Sequence, residues 1–227
     1  MGEHITLTAS DGHTLGAYLA RPSEEPIKGG VVVLQEIFGV NAHIREVCDW
    51  YATAGDLALA PALFDRTHPG FESGYSEEEV KAARGFIANP DFEAFMRDTE
   101  AAKTYLAEHG PVAIVGYCLG GSIAFAAATR WHGLAAAVGY YGGMVVKMAD
   151  KQPLCPTMLH FGETDHSIPM DDVEEVRRKR PDVEIHTYPA GHGFNCDHRA
   201  SFDADAARVA GERTLAFLEQ HMGRYEV

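Results

Sequence analysis

A cysteine stands among glycines in Gly116-Tyr117-Cys118-Leu119-Gly120-Gly121, after the apolar run Val112–Tyr117 and before the small-residue stretch Leu119–Arg130. G-x-C-x-G-G between a strand and a helix is the pattern of a nucleophile elbow, with sulfur in place of a hydroxyl. The central residue of such a turn is strained, and side chains two positions either side would strike neighbouring backbone. Gly116 and Gly120 remove those collisions. The turn aims the N-terminus of the next helix at the thiol, where its dipole favours a thiolate and an oxyanion. The Leu119 N–H is then a candidate oxyanion donor. The competing reading is a buried structural cysteine beside glycines that serve helix–strand packing.

Chain order after an elbow runs nucleophile, acid, histidine. Two later strand-like runs, Thr157–Phe161 and Val183–Tyr188, lead into Gly162-Glu163-Thr164-Asp165 and Pro189-Ala190-Gly191-His192-Gly193-Phe194. Asp165 would accept the His192 ring proton and fix its tautomer, and His192 would take the Cys118 proton. Asp165 also reads as a turn residue or a helix cap, and His192 as one structural histidine among twelve. His166 is the weaker base candidate. Asp171 and Asp172 suit the first turn of a helix better than a triad. His192, Cys196, Asp197 and His198 match no familiar zinc spacing, so no metal or other cofactor is expected.

A third loop, Gln35-Glu36-Ile37-Phe38-Gly39, follows Gly30–Gln35. This position normally supplies the second oxyanion donor, here the Ile37 N–H. Glu36 is unusual, because a carboxylate beside a thiol works against a standing thiolate. It reads either as a conditional proton acceptor or as a solvated loop residue paired with Arg45 or Arg66.

The elements that must position these residues follow from periodicity. His4–Thr8 and Thr14–Leu19 flank Asp11-Gly12 as a hairpin. Gly30–Gln35, Leu57–Pro61, Val112–Tyr117, Leu134–Tyr140, Thr157–Phe161 and Val183–Tyr188 read as strands. Asn41–Thr53, Ser76–Ile87, Phe92–Glu108, Leu119–Arg130, Val173–Lys179 and Asp203–Gln220 read as helices. Such alternation predicts a mostly parallel sheet with helices on both faces. Ligands then bind beyond the carboxyl ends of the strands, where all three loops lie.

At 227 residues and 46% hydrophobic, the chain suits one domain, 1–227, with no repeat or linker. A formal net charge of −14 argues against nucleic-acid partners and anionic membrane surfaces. The apolar runs are too short for a membrane span, no signal peptide is visible, and four cysteines without C-x-x-C spacing suit a reducing cytoplasm. Oligomeric state is open between monomer and homodimer.

Together the opening hairpin, Q-E-I-F-G, G-Y-C-L-G-G, the G-x-x-D loop and A-G-H-G-F resemble the dienelactone hydrolase family over nearly the whole chain. The resemblance implies an α/β-hydrolase fold, with a mostly parallel central sheet of about eight strands and helices on both faces. It implies a Cys118–His192–Asp165 triad and a Glu36 that helps ionise Cys118 when substrate arrives. Members specialised for dienelactone carry a serine directly after the catalytic histidine and an arginine four residues after it. Here those positions are Gly193 and Cys196. Lys81 and Arg84 are only near the family's other carboxylate-binding arginine, and Arg199 has the wrong spacing. Phe38, Tyr117 and Phe194 complete the candidate substrate contacts.

The expected chemistry is hydrolysis of a small ester or lactone through a thioester. A thiolate leaves more readily than an alkoxide, so enol-lactones and activated esters should outpace alkyl esters. A thioesterase or acyltransferase is the alternative enzyme. A silent binding protein or redox sensor on the same scaffold is the alternative outside catalysis.

Overall fold

The computed structural model describes residues 2–223. They form two compact units, Met1–Val112 and Ala113–Val227, each with four strands.

The first unit opens with β1 (Glu3–Thr8) and β2 (Thr14–Ala20), paired antiparallel with Thr8 opposite Thr14. Gly12 turns the hairpin at φ +85, a conformation that suits a residue without Cβ. β2 pairs antiparallel with β4 (Leu57–Pro61), and β4 pairs parallel with β3 (Gly30–Leu34). Every residue of β3 and β4 is buried, as expected of strands covered on both faces. α1 (Ala42–Thr53) is capped by the Asn41 side chain, which accepts the Ile44 N–H. α2 (Glu77–Phe86) starts with a reciprocal Ser76–Glu79 capping box but buries only Ala83. α3 (Phe92–Ala107) packs on β3 and β4.

In the second unit β5 (Val112–Tyr117), β6 (Ala136–Tyr140), β7 (Thr157–Gly162) and β8 (Glu184–Tyr188) run parallel in that spatial order. All ten residues of α4 (Leu119–Ala128) are buried, which its Gly-Gly and alanine content allows. A four-residue helix, α5 (Val145–Met148), was not anticipated; it is too short to show a period. α6 (Met170–Lys179) begins three residues before the predicted Val173, directly after Pro169. α7 (Ala204–Met222) packs on β6 and β7. Among the described residues no helix is long and apolar enough to cross a membrane.

One buried charge braces the first unit. The Asp98 carboxylate on α3 has no exposed side-chain surface and receives two guanidinium nitrogens of Arg66, at 2.9 and 2.7 Å. Arg66 also donates to Asp11 in the hairpin at 2.8 and 3.0 Å, and Arg97 donates to Asp11 at 2.9 Å. The Arg66 hydrogen bond, chiefly, holds Asp11 well below the usual carboxylate range. Removing one partner of a buried pair strands the other charge. Arg66→Met should therefore destabilise the protein by about 3–5 kcal/mol in urea unfolding. Arg66→Met/Asp98→Leu should recover most of that loss. A single variant within about 0.5 kcal/mol of the parent would contradict this account.

Candidate active site

The elbow is built as its glycines demand. A Cβ on Gly116 would collide with the Gly120 carbonyl, and one on Gly121 would lie 2.5 Å from the Tyr140 carbonyl oxygen. Gly121, not singled out from sequence, is thus the glycine that lets α4 close on β6. Cys118 sits at φ 54, ψ −110, a strained conformation for a non-glycine residue. Its N–H donates to the Tyr140 carbonyl at 2.9 Å, so that amide is already committed. Leu119 is the first residue of α4, and its N–H has no acceptor four residues back within the helix.

The acid and base loops are laced together. The Glu163 N–H donates to the Tyr188 carbonyl at 2.8 Å, and the Thr164 N–H to the Ala190 carbonyl at 3.0 Å. A Cβ on Gly162 would collide with the Ala190 carbonyl, so only glycine permits this approach. The lacing delivers Asp165 to His192. Asp165 Oδ1 accepts the Ser167 and Ile168 N–H groups at 2.7 and 3.2 Å, and Oδ2 lies 2.7 Å from His192 Nδ1. The two readings of Asp165 therefore coexist: one oxygen braces a turn and the other meets the imidazole. His192 Nε2 lies 3.2 Å from Cys118 Sγ. With the Nδ1 proton on the Asp165 side, Nε2 can take a proton from the thiol. Burial disfavours the charged imidazole, but the hydrogen bonds and charges of Asp165 and Cys118 outweigh it and raise His192 to about 10.

Other late-loop candidates fall as the sequence suggests. His166 is exposed, and Asp171 and Asp172 sit in the first turn of α6. Tyr117 is 1% exposed and lies with its ring 4.7 Å from that of Tyr140. Phe194 is fully buried, 5.1 Å from the Tyr188 ring. After the base the chain folds back on itself. Cys196 N–H donates to Gly193, Arg199 N–H to Cys196, and Asp203 N–H to Phe194. This return sets Arg199 against Gly193, which is left-handed at φ +77. A Cβ there would collide with the guanidinium, whose Cζ lies 2.7 Å away. Sequence spacing had set Arg199 aside; two successive reverse turns bring it back.

Tyr141 was missed. It follows β6 with φ 39, is fully buried, and its ring lies 5.1 Å from that of His192. The signal was Tyr140-Tyr141-Gly142-Gly143 at the carboxyl end of a strand, where site residues are to be sought. A buried polar network ties the same strands together. His160 on β7 bonds the Tyr188 hydroxyl through Nδ1 at 2.9 Å and Thr214 Oγ1 of α7 through Nε2 at 3.0 Å. Tyr140 meets the same Thr214 oxygen at 2.6 Å. Burial, with the nearby His186 and Arg213 charges, holds His160 well below the usual histidine range.

The remaining candidates belong to the first unit. Glu36, Ile37 and Phe38 are 1%, 6% and 2% exposed. The solvated-loop reading of Glu36 therefore fails, while Arg45 is committed to Glu72 at 2.7 Å and Arg66 to Asp98 and Asp11. Gln35 braces the loop, donating to the Glu36 carbonyl at 3.1 Å and accepting the Leu63 N–H at 3.0 Å. Phe38 packs edge-on against Tyr75 at 4.7 Å. Lys81 and Arg84 lie exposed on α2.

Residues 15–222 match the model of the dienelactone hydrolase family. The chain is 37% identical to a carboxymethylenebutenolidase of Pseudomonas putida, over 95% of each chain. It is 35% identical to carboxymethylenebutenolidase 1 of Cupriavidus pinatubonensis, covering 96% of this chain and 97% of that one. A crystal structure from Klebsiella pneumoniae, provisionally described as a dienelactone hydrolase, superposes with a TM-score of 0.84 at 32% identity, covering 97% of this chain and 99% of the other. The elbow, the parallel strands that carry it and these likenesses place the chain in the dienelactone hydrolase family, as an α/β-hydrolase-fold enzyme acting on carboxylic esters or lactones.

Proposed function

We propose that the protein hydrolyses enol-lactones and activated esters through a thioester on Cys118, with His192 as base and Asp165 as its orienting acid. The observation that carries this reading is the single imidazole bridging Asp165 Oδ2 at 2.7 Å and Cys118 Sγ at 3.2 Å. Sγ gives its proton to Nε2, a transfer that the raised His192 favours near neutrality, and the resulting thiolate bonds the substrate carbonyl carbon. The Leu119 N–H stabilises the oxyanion, a contribution of about 3 kcal/mol per donor in other enzymes. Collapse expels the enolate or aryloxide, which takes the proton from His192. Water, deprotonated by His192, then attacks the thioester and releases the thiolate. On the family resemblance, the Ile37 N–H is the second oxyanion donor and Glu36 assists ionisation of the thiol. The ligand is a small ester or lactone, and the setting is a reducing cytoplasm that preserves the thiol.

Cys118→Ala should lose roughly 10³-fold or more of kcat with the fold intact by circular dichroism. The parent should cleave a p-nitrophenyl ester far faster than the ethyl ester of the same acid. Equal turnover of the two, or full activity in Cys118→Ala, would remove the thioester mechanism.

Protonated His192 should stabilise the fold below its ordinary value near 6.5, and that contribution should disappear as pH rises through about 10. Urea unfolding of the parent and His192→Gln should accordingly differ most near pH 6 and converge towards pH 10. A gap that widens with pH would reverse the assigned sign.

Installing the serine of dienelactone specialists should fail here. Gly193→Ser adds a Cβ to a residue left-handed at φ +77, while the Arg199 guanidinium beside it, the end of a flexible side chain, can move aside. The backbone strain should cost about 1–3 kcal/mol of stability and lower kcat/KM, and Gly193→Ser/Arg199→Ala should recover little of it. Improved lactone turnover in the single variant would refute the strain argument.

A further inference from the structure

Two residues other than glycine adopt left-handed backbone among the described residues: Cys118 and Tyr141. The first is the elbow, where strain lifts the sulfur. Nothing in the triad chemistry accounts for the second. Glycine would occupy φ 39 without strain, and two glycines follow immediately, yet a large aromatic side chain stands there. Backbone strain of this kind persists where the surroundings over-determine it, and it clusters at functional sites.

The surroundings are specific. The Tyr141 N–H donates to the His160 carbonyl at 2.8 Å. The next residue, Gly142, is pressed on the first turn of α4: a Cβ there would lie 2.9 Å from both Gly121 C and Ser122 N. The chain is pinned on both sides of Tyr141, and its ring is aimed at the base loop. The ring lies 5.1 Å from His192 at 56° and 5.4 Å from Phe194 at 76°. Those two side chains flank left-handed Gly193. One ring thus packs against both sides of the turn that carries the base.

We propose that Tyr141 is a positioning residue: its buried ring packs against His192 and Phe194 and keeps the imidazole in line with both Asp165 and Cys118. Rotation of the imidazole would break both hydrogen bonds at once, because they lie on opposite ring nitrogens. The aromatic ring, held by a strained backbone, opposes that rotation. This inference rests on the triad reading above and adds to it a residue that acts through the imidazole it packs against.

The test compares Tyr141→Phe, Tyr141→Leu and Tyr141→Asn by steady-state kinetics and by an NMR titration of the His192 ring. Asparagine accepts left-handed backbone and so removes the ring without adding strain, which keeps the test alive should the leucine variant fold poorly. Tyr141→Phe should keep kcat and the His192 midpoint. Leucine and asparagine should lower kcat about 10- to 100-fold with little change in KM, the scale expected for a misplaced catalytic group. In both, the His192 midpoint should move down from about 10 towards an ordinary histidine, because its contacts to Asp165 and Cys118 loosen. Unchanged kcat, or a fall in kcat with the midpoint unmoved, would overturn the role. Iodoacetamide labelling of Cys118 in the parent separates the two ideas. Labelling that abolishes activity while Tyr141→Leu retains it removes only the positioning role; activity that survives labelling removes the triad reading itself.

Discussion

The site depends on a carboxylate removed from water. Asp165 has no exposed side-chain surface, and its charge is carried by three donors: two backbone N–H groups on one oxygen and an imidazole on the other. Burying an ionised acid is costly unless its lone pairs are met. Here each oxygen is met from a different part of the acid and base loops. The backbone bonds fix the acid before the imidazole arrives, and the imidazole then has one orientation in which Nε2 faces the sulfur. Remove this acceptor and neither tautomer nor direction of the base is defined.

The strands follow from that requirement. β5, β7 and β8 are parallel, so the loops that leave them emerge at one edge. Glycines set the loop separations: Gly116 and Gly121 for the elbow, Gly162 for the lacing of acid to base. β6 contributes more than a spacer. Its terminal carbonyl takes the Cys118 N–H, and the residue after it presses on the imidazole. The amide left without an acceptor in its own helix is the next one along, that of Leu119, because the elbow's own N–H is spent on holding the elbow.

Much of this was legible in the amino-acid order, and the reasons are physical. Cys118, Asp165 and His192 stood out because each follows a run of strand-forming residues and because their order along the chain is that of an elbow nucleophile, its acid and its histidine. Seven of eight strands matched within a residue at both ends; among them β3, β4, β5 and β7 are buried throughout, and such burial leaves a continuous apolar run. The predicted Leu134–Tyr140 strand begins only at Ala136, because apolar character alone does not distinguish an approach from a paired residue. Tyr141 lies where site residues are to be sought, at the carboxyl end of β6, but nothing in the composition marks its left-handed backbone or the direction of its ring. Arg199 was hidden because counting along the chain does not see two reverse turns. The burial of Glu36 was hidden for the same reason: a carboxylate after a strand looks solvated until its loop is seen braced by Gln35.

The His160 network sets a limit of the opposite sign to that of the base. A histidine buried among Tyr188, Thr214 and Tyr140 hydroxyls, with Arg213 near, is held neutral. The unfolded chain binds a proton there near 6.5, whereas the folded chain resists it, so acid favours unfolding at His160 while alkali erodes the contribution of His192. One histidine bounds the enzyme's durability from below and the other from above. Conditions that keep the base loop charged and the Thr214 network dry occur together only in the interval between them, so storage and assay buffers nearer neutrality suit both halves of that bargain.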